Sequence, residues 1–147
     1  MDGDELAGVV DLFGGLTRAE LDDAVDELAF KRGEEADGVE ADVENALRDY
    51  YLVEVDREDE TVLAPGPAAF PSPPEYATDL PHILDVERRE ISRDALADAV
   101  RARLEADAAD AEPGSERARS LVDATYDAEA WAPVDLGDVR AELTDDA

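Results

Sequence analysis

A reaction centre needs a nucleophile, a base or a bound metal, and this sequence offers few residues for any of them. His82, in the stretch LPHILDV, is the only histidine, and there is no cysteine. One imidazole without a second to share a metal or relay a proton reads as a structural side chain. The missing cysteines remove disulfides, thiolate zinc sites and a thiol nucleophile. Aspartate and glutamate together number 41 in 147 residues, and at that density almost any spacing between two carboxylates arises by chance, so no pair marks an acid and its base. The run DREDE (56–60) lacks the glycine and terminal glutamate of a calcium loop, and neither a glycine-rich phosphate loop nor a G-x-S-x-G elbow occurs. The residues therefore point to no catalytic group, no cofactor and no metal, and a non-enzyme is expected.

Binding is the alternative chemistry. Arg32, Asn45, Arg48 and Arg57 are the candidate nucleic-acid contacts, because arginine neutralises phosphate and both residue types hydrogen-bond base edges. Their neighbours oppose this: Glu40, Asp42, Glu44 and Asp49 accompany Asn45 and Arg48, and four acids surround Arg57 in DREDE. Convergence of Arg18, Arg32, Arg48 and Arg57 on one surface would favour DNA; an acidic surface would favour a protein. The densest basic stretch, ERREISRDALADAVRAR, sets Arg88, Arg89, Arg93, Arg101 and Arg103 among Glu87, Glu90, Asp94 and Asp98. The spacings of Asp98 with Arg101 and of Arg101 with Glu105 suit pairing along one helix, and no aromatic is present to stack on a base.

The charge has its own explanation. The formal net charge is −28, yet 44% of residues are hydrophobic, which argues against simple disorder. Lys31 is the only lysine. Excess acid, many alanines, few aromatics and arginine in place of lysine look like proteins of salt-loving archaea with molar salt in the cytoplasm. At molar salt the Debye length is about 3 Å, so self-repulsion is screened. The acids are dispersed along the chain instead of forming one block, which favours adaptation to solvent over mimicry of nucleic acid. The start, MDGDELAGVVDLFGG, has no basic leader and no apolar run long enough for a signal or a span, so a cytoplasmic location without membrane association is expected.

These residues must be positioned by a mainly helical fold. Leu6, Val9, Val10 and Phe13 form a helical stripe stopped by Gly14-Gly15. Thr17 and Glu20 have capping-box spacing ahead of Leu21, Ala24, Val25 and Leu28. Lys31 and Arg32 then meet the negative end of that helix, with Gly33 as its left-handed cap, so AFKRG reads as helix termination. Asp37 and Glu40 repeat the capping-box spacing before Val39, Val43, Ala46 and Leu47. YYLVEV and TVLA read as two strands, with DREDE as the loop between them. PGPAAFPSPPEYATDLP, 65–81, carries six of the eight prolines and reads as an extended cover, not a helix, packed through Phe70 and Tyr76. Beyond it, Ser92 caps a long helix to about Ala111 with the stripe Leu96, Val100 and Leu104. Another helix runs from Ser115 to about Ala130, DLGDVRAEL adds a short one, and the tail TDDA is expected to fray. Tyr50, Tyr51, Tyr126 and Trp131 are read as core anchors.

Three helices followed by a hairpin is the order of a winged helix, a variant of the helix-turn-helix. The resemblance implies a recognition helix from Val39 to Asp49 and a wing tip at 56–60. The segments ELAGVVDLFGGLTRAEL, ELAFKRG and LPHILDV also resemble an uncharacterised family of small acidic proteins from halophilic archaea, a likeness that spans most of the chain. The expected organisation is a winged-helix-like half (1–64), a proline-rich connector (65–81) and a C-terminal helical half (82–147) packed on the first as one compact unit. The narrow stripe of the long helix calls for cover from the first half or from a second copy, which makes a dimer plausible. The expected function is a non-catalytic interaction or regulatory protein working through protein contacts or self-association, with a winged-helix DNA-binding regulator as the alternative. If the charge answers to salt, helicity followed by circular dichroism rises from dilute buffer to molar salt; a flat response contradicts that reading.

Overall fold

The computed structural model of the chain describes residues 1–33, 38–57 and 59–144. Among these it is mainly helical with one antiparallel hairpin, and it divides into two compact units, Met1–Ile91 and Ser92–Ala147.

The first unit opens with α1 (Gly3–Phe13). Asp2 caps it by accepting the Glu5 N–H at 2.8 Å, and the Glu5 carboxylate accepts the Asp2 N–H at 3.3 Å. Gly14 closes it in the left-handed region, φ 76°. In α2 (Arg18–Lys31), the capping box expected at Thr17 and Glu20 forms, with bonds of 3.2 and 2.9 Å. Gly33 follows the helix at φ 68°, as AFKRG requires. Helix α3 (Val39–Arg48) begins after Gly38, whose φ of 73° suits its lack of a Cβ. Asp37, the expected cap, and Glu58, in the expected wing tip, lie outside the described residues.

Helix α3 ends in a Schellman motif with tyrosine where glycine is usual. Tyr50, buried at φ 65°, donates its N–H to the Leu47 carbonyl, and the Tyr51 N–H reaches the Ala46 carbonyl at 2.8 Å. Left-handed geometry costs a non-glycine residue roughly 1–2 kcal/mol, offset here by two further bonds: the Tyr50 and Tyr51 carbonyls accept the Ala68 and Gly66 N–H groups. A side chain at Gly66 would strike the Tyr50 carbonyl, so glycine is required at that crossing.

Strands β1 (Leu52–Arg57) and β2 (Glu60–Pro65) pair from Leu52↔Pro65 to Arg57↔Glu60. The turn is therefore tighter than DREDE suggests: Asp56, Arg57 and Glu60 belong to the strands. Between α1 and α2, Leu16 exchanges two backbone bonds with Leu63, at 3.1 and 2.7 Å, along the free edge of β2. This one-residue strand lies between α1 and α2, ahead of the two helices and the hairpin. One residue has no period, so nothing in the pattern of hydrophobicity announces it.

The proline segment covers α1, but with other side chains than expected. Phe70 is 80% and Tyr76 49% exposed, while Pro74, Ala77 and Leu80 are buried. Asp4 holds the strap: its carboxylate accepts the Phe70 N–H at 2.9 Å and its carbonyl the Ser72 N–H at 3.0 Å. Gly8 is the seat, since a Cβ there would lie 2.3 Å from the Pro73 nitrogen. The segment is also not wholly extended, because a 3-10 turn (Ala77–Asp79) leads into the short helix α4 (Leu80–Ile83). His82 is exposed on α4.

The first unit runs on to Ile91 rather than closing at the proline segment. The reason lies at Arg88 and Arg89. The Arg89 N–H bonds the Phe13 carbonyl at 2.8 Å, and the Arg88 guanidinium bonds the Asp11 and Leu12 carbonyls, so both satisfy acceptors at the end of α1.

The second unit is a bundle of α5 (Arg93–Asp110), α6 (Glu116–Trp131) and α7 (Gly137–Leu143). Ser92 and Ser115 cap the first two by accepting the N–H groups of Ala95 and Ala118, both at 3.1 Å. Ala97, Val100, Leu104 and Ala108 of α5 are buried against α6 and α7, so the unit's own helices cover the stripe; Leu96 is only half-buried. Arg140 ties α7 to α6, donating to both Glu129 oxygens at 2.8 and 3.2 Å and to the Thr125 hydroxyl at 3.1 Å. Its guanidinium also lies 4.3 Å from the centroid of Tyr126, an exposed ring instead of the core anchor expected. Trp131 is half-buried.

Gly8→Ala forces the strap from α1 and should destabilise the first unit by about 1–3 kcal/mol. Its thermal midpoint should fall and the bonds around Phe70 should become accessible to protease, both measured on the full chain.

Candidate interaction surface

Helix α3 buries Val43, Ala46 and Leu47 and leaves Glu40, Ala41, Glu44, Asn45 and Arg48 exposed. The hairpin adds Glu54, Asp56, Arg57 and Glu60 to the solvent side. Where α2 meets α3, a shallow cleft of about 310 Å³ is lined by Arg18, Asp22, Glu40, Val43 and Glu44. Three carboxylates thus face one guanidinium, over an apolar floor.

That guanidinium is occupied. Arg18 bonds Glu44 of α3 at 2.7 Å and Glu54 of β1 at 3.4 Å. Glu44 holds its pKa above the ordinary value, against a smaller downward pull from burial. Arg18 links α3 to the hairpin and is paired within the chain already.

The sequence-derived contact residues occupy separate settings. Arg32, the C-cap of α2, donates to the Glu75 carbonyl at 3.3 Å. Arg57, at the end of β1, approaches the Glu90 carbonyl at 3.5 Å. Asn45 and Arg48 are exposed one turn apart on α3. Arg18, Arg32 and Arg57 are thus each held by a different segment. The basic stretch 87–103 is divided as well: Arg88 and Arg89 serve the first unit, while Arg101 bonds Glu105 at 2.8 Å and Asp138 within the second. Among the described residues, no group of three acidic or histidine side chains is placed to hold a metal ion, and no helix is long and apolar enough to cross a membrane.

Sequence reasoning missed the clasp behind this surface. Arg89 bonds Glu20 at 2.7 Å, Glu60 at 2.8 Å and the Gly15 carbonyl at 3.0 Å, joining the cap of α2 to β2. The signal was available in part, because the Glu20 carboxylate of a capping box has a second oxygen to offer an arginine.

The sequence matches a family of unknown function, DUF7109, over residues 4–147. The chain belongs to that family. No curated protein and no solved structure matches it. The family assignment therefore spans both units, α2–α3 cleft included, and brings no activity with it.

Burial pushes the Glu20 carboxyl upward, but bonds from the Arg89 guanidinium and the Thr17 N–H outweigh it and leave the pKa below its ordinary 4.5. A depressed carboxylate stabilises the fold above its unfolded value and loses that contribution as pH falls through the lower folded value. Glu20→Gln should cost about 1 kcal/mol at neutral pH. The difference in thermal midpoint between the two proteins should shrink as pH drops below 4.5, as an acid titration of both would reveal.

Proposed function

We propose that the chain is a non-catalytic interaction module of a halophilic archaeon, working in the cytoplasm through protein contacts, with the α2–α3 cleft and the adjoining hairpin as the docking face. The observation that carries this reading is the pairing of Arg18 with Glu44 and Glu54, which leaves Asp22 and Glu40 as the cleft's remaining charges. Such a face repels phosphate and attracts a basic segment, with Val43 as an apolar contact between the carboxylates. At molar salt the attraction acts only at close range, so recognition rests on direct pairing within the cleft and not on steering from afar. A regulatory role fits a chain whose helix-turn-helix architecture serves a partner protein.

The second reading is a DNA-binding regulator. The Leu16–Leu63 pairing favours it, because it gives the hairpin the three-stranded base of a winged helix. Asn45 and Arg48 would then be the α3 contacts, with Arg32 and Arg57 outside them.

Capture from source-cell extract in molar salt, with and without nuclease, separates the two. The same protein should be recovered under both conditions, and Glu40→Arg with Glu44→Arg should reduce its recovery at least tenfold. Nucleic acid recovered and then lost on nuclease treatment, with retention in the double variant, would establish DNA as the partner.

A further inference from the structure

We infer that the proline strap is a second docking element, presented to a protein whose shallow groove is lined by aromatic rings and rimmed by cationic side chains. The inference is independent of the cleft, since it rests on residues 70–76 and their seat on α1.

An exposed phenylalanine alone is ordinary. Phe70 differs in how it is held. Pro71 and Pro73 follow it, fix their own φ near −65° and lie exposed. The backbone on either side is pinned by the two bonds to Asp4, and the Ser72 hydroxyl donates to the Phe70 carbonyl at 3.0 Å. Gly8 lets the Ser72-Pro73 backbone lie directly on α1. The strap keeps 80% of Phe70 in solvent on a backbone whose shape is already set. Little conformational entropy remains to be lost on binding.

The chemistry of the occupant follows. Proline rings on an extended, pre-ordered backbone are recognised by aromatic grooves, which stack on the rings and take an adjoining apolar side chain in a pocket. Asp2 is exposed near the Asp4 anchor of the strap, which calls for lysine or arginine on that part of the rim, while Arg32 already occupies the Glu75 end. A second copy is the weaker occupant, because the α2–α3 cleft, lined by Arg18, Asp22, Glu40, Val43 and Glu44, presents no aromatic ring.

The test places the photo-crosslinking residue p-benzoylphenylalanine at position 70 of the full chain, and at position 30 as a control, where Phe30 is 78% exposed without neighbouring prolines. Irradiation in source-cell extract at molar salt should give a product specific to position 70. Its crosslink should map to an aromatic-lined groove of another protein. Pro71→Ala with Pro73→Ala should lower that product roughly tenfold, with only a small fall in the thermal midpoint from the added freedom of the unfolded chain. A product shared with position 30, a product with a second copy, insensitivity to the proline variants, or no product each overturns the inference.

Discussion

Helix α1 buries Leu6, Ala7, Gly8, Val9, Val10 and Phe13, far more of its circumference than an ordinary surface helix. A helix so enclosed needs covers on several sides, and the elements of the first unit supply them: α2 and α3, the hairpin, and the strap seated at Gly8. The core residues of α2 and α3 join the same cluster as those of α1, together with Ala77 and Leu80 beyond the strap. The carbonyls at its C-terminal end are met by Arg88 and by the Arg89 backbone. The chain must therefore return to α1 after the hairpin, which is why the first unit cannot close at the last strand.

The helices were legible because their signals are local. Thr17 with Glu20, and Ser92 and Ser115 as caps, announce where helices begin, and the stripes of Leu21, Val25 and Leu28 or of Val100 and Leu104 announce which face is covered. What the sequence concealed depends on partners distant in the chain. Leu16 is one residue of strand and needs Leu63 to become one. Pro74 and Leu80 cover the core in place of Phe70 and Tyr76, because the backbone fixed by Asp4 and Gly8 decides which side chains turn inward. Tyr50 takes a conformation usual for glycine because Gly66 and Ala68 stabilise it from another segment.

The surface was legible in composition and hidden in arrangement. Glu40 and Glu44 could be placed on the outer face of α3 from helical spacing alone. That Arg18 would cross to Glu44 and Glu54 could not, since the pairing requires the hairpin and α3 to meet over the start of α2. Likewise, Arg88 and Arg89 read as part of one basic stretch with Arg101 and Arg103, whereas the compact units separate them. A run of like charges in sequence is divided among separate tasks when the chain passes from one unit to the next within it.

The arginines make contacts that use several of their donors at once. Arg89 makes bonds to two carboxylates and a carbonyl at once, and Arg140 grips Glu129 with two nitrogens while reaching Thr125. A planar guanidinium offers five donors in a fixed fork, where an ammonium has three. With Arg18, Arg89, Arg101 and Arg140 committed to internal cross-links, the field around the protein is set by carboxylates. Folding concentrates that charge, so the native state gathers more counter-cations than the open chain does. By mass action, any cation gathered there would act as a ligand of the folded form, one that dilution would strip away.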